Sequence, residues 1–175
     1  MKVSIFIDGG YLEKILKNEF GQIPIDFDKL SSALARGKEI LRTYYYNCLP
    51  YQSSPPTEDE RARFSRRQKF HTMLTRLPKY EVREGRLVRR GSEFEQKGID
   101  TLLSIDLVNL AASNKISEAI LLAGDYDFVP AVSVVKTHGV NITLYHSRSC
   151  NQGLWDLCDE RFPLTRELVE SLRRH

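Results

Sequence analysis

The chain has 175 residues, of which 41% are hydrophobic and 28% charged. This excludes a disordered or fibrous protein and predicts one domain with its own core. The formal net charge is only +3, so any preference for a charged partner must lie in how the charge is distributed. From the amino end, Val3–Ile7 is a short β-branched apolar run, the pattern of a strand buried on both faces. Asp8-Gly9-Gly10 ends it, and Tyr11, Leu12, Ile15 and Leu16 then recur at helical spacing. Asp28, Leu30 and Leu34, closed by Gly37, predict a second short helix. Residues 40–49 predict a tyrosine-rich strand, and residues 50–56 a loop.

Thr57 with Glu60 three positions on is a capping box, and Pro78 should end the polar helix that follows. Glu84-Gly85, between two strand-like runs within residues 80–90, predicts a β-hairpin. From Gly98 a helix carries Leu102, Leu103, Leu107 and Leu110. Residues 119–123 predict a buried strand ending at Gly124-Asp125, residues 128–138 a helix stopped by Gly139, and residues 140–145 a strand. A helical turn at residues 154–157 and a final helix capped by Thr165 complete the chain. Strands alternating with helices mean an α/β fold with a mostly parallel sheet. We expect a single domain over residues 1–175, with a basic helix-and-hairpin elaboration at about 57–96.

Two of the strands end in aspartate, at Asp8 and at Asp125-Tyr126-Asp127. In an open parallel sheet, ligands bind beyond the carboxyl ends of the strands, where strand order reverses. Asp100, at the start of the helix leading into the later strand, could face the same mouth. Each could equally be a helix cap. Gathered carboxylates repel one another, and a divalent cation relieves this; oxygen ligands select Mg²⁺ or Mn²⁺. Such a site suits phosphodiester hydrolysis. Asp106 lies roughly 240° around the helix from Asp100, which favours a salt bridge or supporting role for it.

Residues 61–91 carry eleven basic and two acidic side chains, a charge of +9, and the remainder of the chain is −6. Arg61, Arg63, Arg66, Arg67, Lys69 and Arg76, with Lys97 beyond them, are the candidate nucleic-acid contacts. Phe64, Phe70, His71 and Tyr80 could stack on unpaired bases. No GxGxxG follows the first strand and no GxxxxGK[ST] occurs, so no nucleotide cofactor is expected. A phosphoacceptor of the receiver type would need a lysine after the last core strand, and residues 142–146 end in histidine. Cys48, Cys150 and Cys158 form no CxxC pair, which predicts reduced thiols without zinc in a cytoplasmic protein. No apolar run approaches the ~20 residues of a membrane span. The strand with Tyr44-Tyr45-Tyr46 and the final helix could contribute to a homodimer.

Three segments together resemble the NYN domains of the PIN-like nuclease superfamily, especially the bacterial LabA-like group. They are Phe6-Ile7-Asp8-Gly9-Gly10-Tyr11-Leu12, Lys97-Gly98-Ile99-Asp100 with Leu103 and Asp106, and Ala123-Gly124-Asp125-Tyr126-Asp127-Phe128-Val129-Pro130. The resemblance implies a Rossmann-like three-layer fold with an acidic metal pocket, and RNA cleavage with Mg²⁺ or Mn²⁺. By motif position, Asp8, Asp100, Asp125 and Asp127 would be the metal-binding and catalytic acids. Asp106 also matches a recurrent acidic position and so joins the candidate metal ligands. Many relatives have Ser-Asn where this chain has Gly9-Gly10, so a side-chain contact near the metal is missing here. The alternative expectation is an RNA-binding or regulatory module with a vestigial, poorly active pocket.

Overall fold

The apolar run at the amino end, rich in β-branched residues, forms β1 (Lys2–Asp8), and everything else is arranged around it. The computed structural model describes residues 1–175. β1 pairs in parallel with β2 (Ile40–Cys48) on one side and β5 (Ile116–Leu122) on the other. β3 (Tyr80–Arg90) and β4 (Glu93–Lys97) extend the sheet beyond β2, and β6 (Asn141–His146) and β7 (Glu160–Pro163) beyond β5. The order is β4-β3-β2-β1-β5-β6-β7, and only the β3–β4 pair is antiparallel. Strand order therefore reverses at β1 and β5.

Alternation along the strands divides the core in two. Val3, Ile5 and Ile7 of β1 and Tyr45 of β2 face α1 (Gly9–Glu19), α2 (Phe27–Ala35), α3 (Glu58–Thr75) and α7 (Arg166–Ser171). Phe6 and Tyr46 face α4 (Ile99–Ala112), α5 (Val129–Thr137) and α6 (Gln152–Leu157). Helices on both faces of a mostly parallel sheet make the α/β fold expected from the alternation, in the three layers that the family resemblance implies. At the amino end of the sheet, buried Glu118 is held by Lys38 at 2.5 Å and Arg36 at 2.7 Å. These cations, with a hydrogen bond from Thr143, keep it ionised against its burial.

The Thr57–Glu60 capping box forms, and α3 ends at Thr75, just before Pro78. The expected turn at Glu84-Gly85 does not form. β3 runs straight through it, and the turn lies at Gly91, whose φ of +64° suits glycine. Gly85 serves a different purpose: a β-carbon there would lie 2.6 Å from the Lys97 carbonyl and 2.9 Å from Ile99. It lets β4 and the start of α4 come close. Tyr80–Gly85 pair in parallel with β2, and Arg86–Arg90 pair antiparallel with β4. The hairpin thus stands beyond the carboxyl edge of the sheet. β7 has no counterpart among the expected elements; it is a four-residue edge strand containing a proline. β2 lies between β1 and β3, with Tyr45 and Tyr46 fully buried and Tyr44 partly exposed. No helix is long and apolar enough to cross a membrane.

Candidate functional site

Asp8 is the last residue of β1 and the cap of α1, where its Oδ1 accepts the Tyr11 N–H at 3.2 Å. Asp125, beyond the end of β5, caps a short 3₁₀ turn over Tyr126–Phe128, and its Oδ1 accepts the Asp127 N–H at 3.1 Å. Both aspartates are therefore caps, yet each spends one oxygen on the cap and keeps a second. Asp100 lies in the first turn of α4, after Gly98, whose φ is +91°. Three helix amino termini thus converge on one edge of the sheet, where their dipoles favour negative charge.

Ligand oxygens of Asp100, Asp125 and Asp127 lie within 4.8 Å of one another. Asp8 stands beside them and feels the charge of Asp125. Burial is the main reason its carboxyl is pushed up to about 6, with Asp125 adding to it. The Asp100 carboxyl is pushed up to about 7, first by burial, then by a hydrogen bond with Asp127 and by the charges of Asp125, Asp127 and Asp8. Near neutral pH burial, with the neighbouring carboxylates adding to it, favours a proton held in the group. The donor set is all oxygen and closely gathered, which fits a hard divalent cation. Asp8, Asp100 and Asp125 line a cleft of about 790 Å³ whose wall includes Lys14, Tyr126, Asn151 and the hairpin residues Glu95, Gln96 and Lys97.

Asp106 does not join this group. Its carboxylate receives Arg83 at 2.7 and 3.0 Å and the Tyr46 hydroxyl at 2.8 Å. This corrects its inclusion among the metal ligands: both oxygens are spent on a pair that ties α4 to β2 and β3. The basic residues also divide. Arg61, Arg63, Arg66 and Lys69 are exposed on α3, and Arg76 is exposed at its carboxyl cap. Arg67 shares a face with His71 and Leu74, which are buried, and it pairs with Glu13 of α1. Lys97 pairs with Glu95 at 2.9 Å at the rim of the cleft. Of the aromatic residues expected to stack on bases, His71 and Tyr80 are buried. Phe70 packs edge-on against Tyr45 and Phe27. α3 turns Phe70 and His71 inward and β3 buries Tyr80, which corrects the expectation for these three; Phe64 stays half-buried on α3.

A family model for the NYN domain matches residues 2–165. The chain belongs to the NYN family. That places it in the PIN-like nuclease superfamily, and the fold agrees. A crystal structure of a protein of unknown function from Vibrio parahaemolyticus superposes with a TM-score of 0.71 at 19% identity, covering 94% of this chain and 93% of that one. An uncharacterized protein of Sinorhizobium fredii is 42% identical over 50 residues, which is 29% of this chain and 23% of that protein.

The Gly9-Gly10 departure of this NYN domain has a steric basis. A β-carbon at Gly9 would lie 2.5 Å from the Tyr45 ring and 2.7 Å from the Tyr46 carbonyl, so no side chain fits. At Gly10 the vacant space is bordered by the Gln96 amide, 3.1 Å from where a β-carbon would be. Sequence reading missed Gln96 and Lys14, which approach the cleft from the hairpin and from α1. The same holds for Tyr11, whose hydroxyl lies 3.0 Å from Ser147 Oγ and whose ring lies over Gly124. Lys14 had a visible signal, since it sits one helical turn after Gly10. Gln96 had none, because the hairpin that carries it was misplaced.

Proposed function

We propose that this NYN domain is a metal-dependent ribonuclease that hydrolyses RNA phosphodiester bonds at the acidic cleft. The observation that carries this reading is the group Asp100, Asp125 and Asp127, with oxygens within 4.8 Å of one another, beside Asp8 at the point where strand order reverses. Asp100, Asp125 and Asp127 would hold Mg²⁺ or Mn²⁺, and Asp8 would complete the set. The ion supplies Lewis acidity, which acidifies water and offsets charge on phosphoryl oxygens. The chain's own part is to hold these oxygens on rigid strand ends and helix starts, keep Asp8 oriented through the Tyr11 N–H, and bring the backbone of the substrate in. The exposed cations of α3, Arg61, Arg63, Arg66, Lys69 and Arg76, would attract the phosphates, with Arg67 braced behind them and Lys97 at the rim.

The test uses purified protein, an end-labelled RNA and Mn²⁺. Cleavage should occur, and should be lost with EDTA and in Asp8→Asn. Cleavage that persists in either control would mean that another site or a contaminant is responsible.

A second reading is an RNA-binding module with poor turnover. The bar on any side chain at Gly9 favours it, because a polar contact that many relatives supply cannot be made here. Salt-sensitive RNA binding without Mn²⁺-dependent cleavage would select this reading.

A further inference from the structure

One residue of the cleft is needed by neither the fold nor the acidic group. Tyr126 stands between Asp125 and Asp127, lines the cleft, and is 59% exposed. Gly153 of α6 backs one side of its ring: a β-carbon added there would lie 3.6 Å away. A tyrosine held this way presents an open aromatic surface without collapsing into the core. The aromatic residues of the basic segment do not line the cleft: His71 and Tyr80 are buried, Phe70 is packed into the core, and Phe64 lies half-buried on α3.

A phosphodiester drawn to the aspartates brings its own nucleosides to this surface, since Tyr126 is the immediate chain neighbour of two of the acids. An aromatic ring there can stack on a base. In a duplex the faces of that base are already covered by its neighbours, so stacking requires an unpaired or flipped nucleotide. We infer that Tyr126 is a base-stacking platform and that the strand taken by the cleft is unpaired next to the phosphate that meets the aspartates. This rests on the proposal that the cleft receives RNA, and it names the substrate class and the residue that selects it.

The test reads stacking directly, apart from turnover. A short single-stranded RNA carrying 2-aminopurine, moved through each position in turn, is bound to the full chain carrying Asp8→Asn. At one or two positions the fluorescence should be quenched. Adding Tyr126→Ala should remove that quenching and weaken binding by about tenfold, the scale of one lost base–aromatic stack. Tyr126→Phe and Tyr126→Trp should keep both. The same strand annealed to its complement should compete at least about tenfold more weakly. Thermal melts check that the exposed substitution leaves the fold intact. Quenching that survives Tyr126→Ala, or a duplex that competes equally, would overturn the inference. Cleavage by the unsubstituted chain with Mn²⁺ is measured separately. Tyr126-dependent stacking without cleavage supports the platform and removes the ribonuclease reading. Cleavage of single strand and duplex alike, indifferent to Tyr126, does the reverse.

Discussion

Asp8 and Asp125 show how one side chain can serve structure and chemistry together. Each satisfies an orphan N–H at a helix start with one oxygen and keeps the other for the cleft. The cost of gathering such groups is electrostatic and should be measurable. With Asp8 raised to about 6 and Asp100 to about 7, the folded protein without metal keeps protons that the unfolded chain gives up above its ordinary carboxylate range. Its stability should therefore fall as pH rises from about 4 to about 7. Asp100→Asn in EDTA should raise the melting temperature at pH 8 and leave it nearly unchanged at pH 4. A lower melting temperature at pH 8 would show that the carboxylate helps the apo fold. Under the proposed metal reading, Mn²⁺ binding near pH 6.5 should also release protons. Calorimetry in buffers of different protonation enthalpy would detect this, and identical heats would count against it.

Among the elements, α3 and β3 decide how the basic segment is used. The residue count of the segment says nothing about which cations are free. Helical phase does, because Arg67 falls on the inward face with His71 and Leu74. If α3 meets RNA, Arg63→Glu with Arg66→Glu should weaken binding and lower the salt slope by about two. Unchanged affinity would remove α3 from the interface. Arg83 belongs to the basic run but is occupied by Asp106. Its loss leaves a buried carboxylate without its counter-charge. Arg83→Ala should cost roughly 2–3 kcal/mol in urea denaturation, below the usual figure for a fully buried pair because Arg83 is partly exposed. A negligible change would mean that water replaces the guanidinium at no cost. The misplaced turn has a similar origin: Gly85 signals crowding by Ile99, a contact that a local reading cannot contain.

For the molecule as a whole, the sheet order gives the aspartates their meaning. Periodicity and composition were enough to read four of the six parallel strands, β1, β2, β5 and β6, because each is a continuous apolar run or is tyrosine-rich; β3, charged along most of its length, was expected to break at Gly85. β7 escaped because its residues, Glu160 to Pro163, have neither property. The order β4-β3-β2-β1-β5-β6-β7 cannot be read from periodicity at all. Yet it is what brings Asp8 and Asp125, more than a hundred residues apart, to adjacent strand ends. The charge division can be seen in the sequence as +9 against −6. In space it becomes a basic helix on one face of the sheet, a basic strand, β3, and an acidic group at the carboxyl edge, a distinction that summed charge hides.

β3 belongs to two structures at once. Up to Gly85 it is hydrogen-bonded to β2, and beyond Gly85 only to β4. The arm that walls the cleft is thus a cantilever, clamped in the sheet at Gly85 and touching the rest of the molecule near its far end through Phe94 on Tyr51. A bend about Gly85 would move the arm without unfolding a loop. Amides of residues 86–97 should exchange with deuterium far faster than those of 80–85, with the break falling at Gly85 inside one continuous strand. Stiffening that joint would change how readily the cleft admits a long polymer without altering any group inside it.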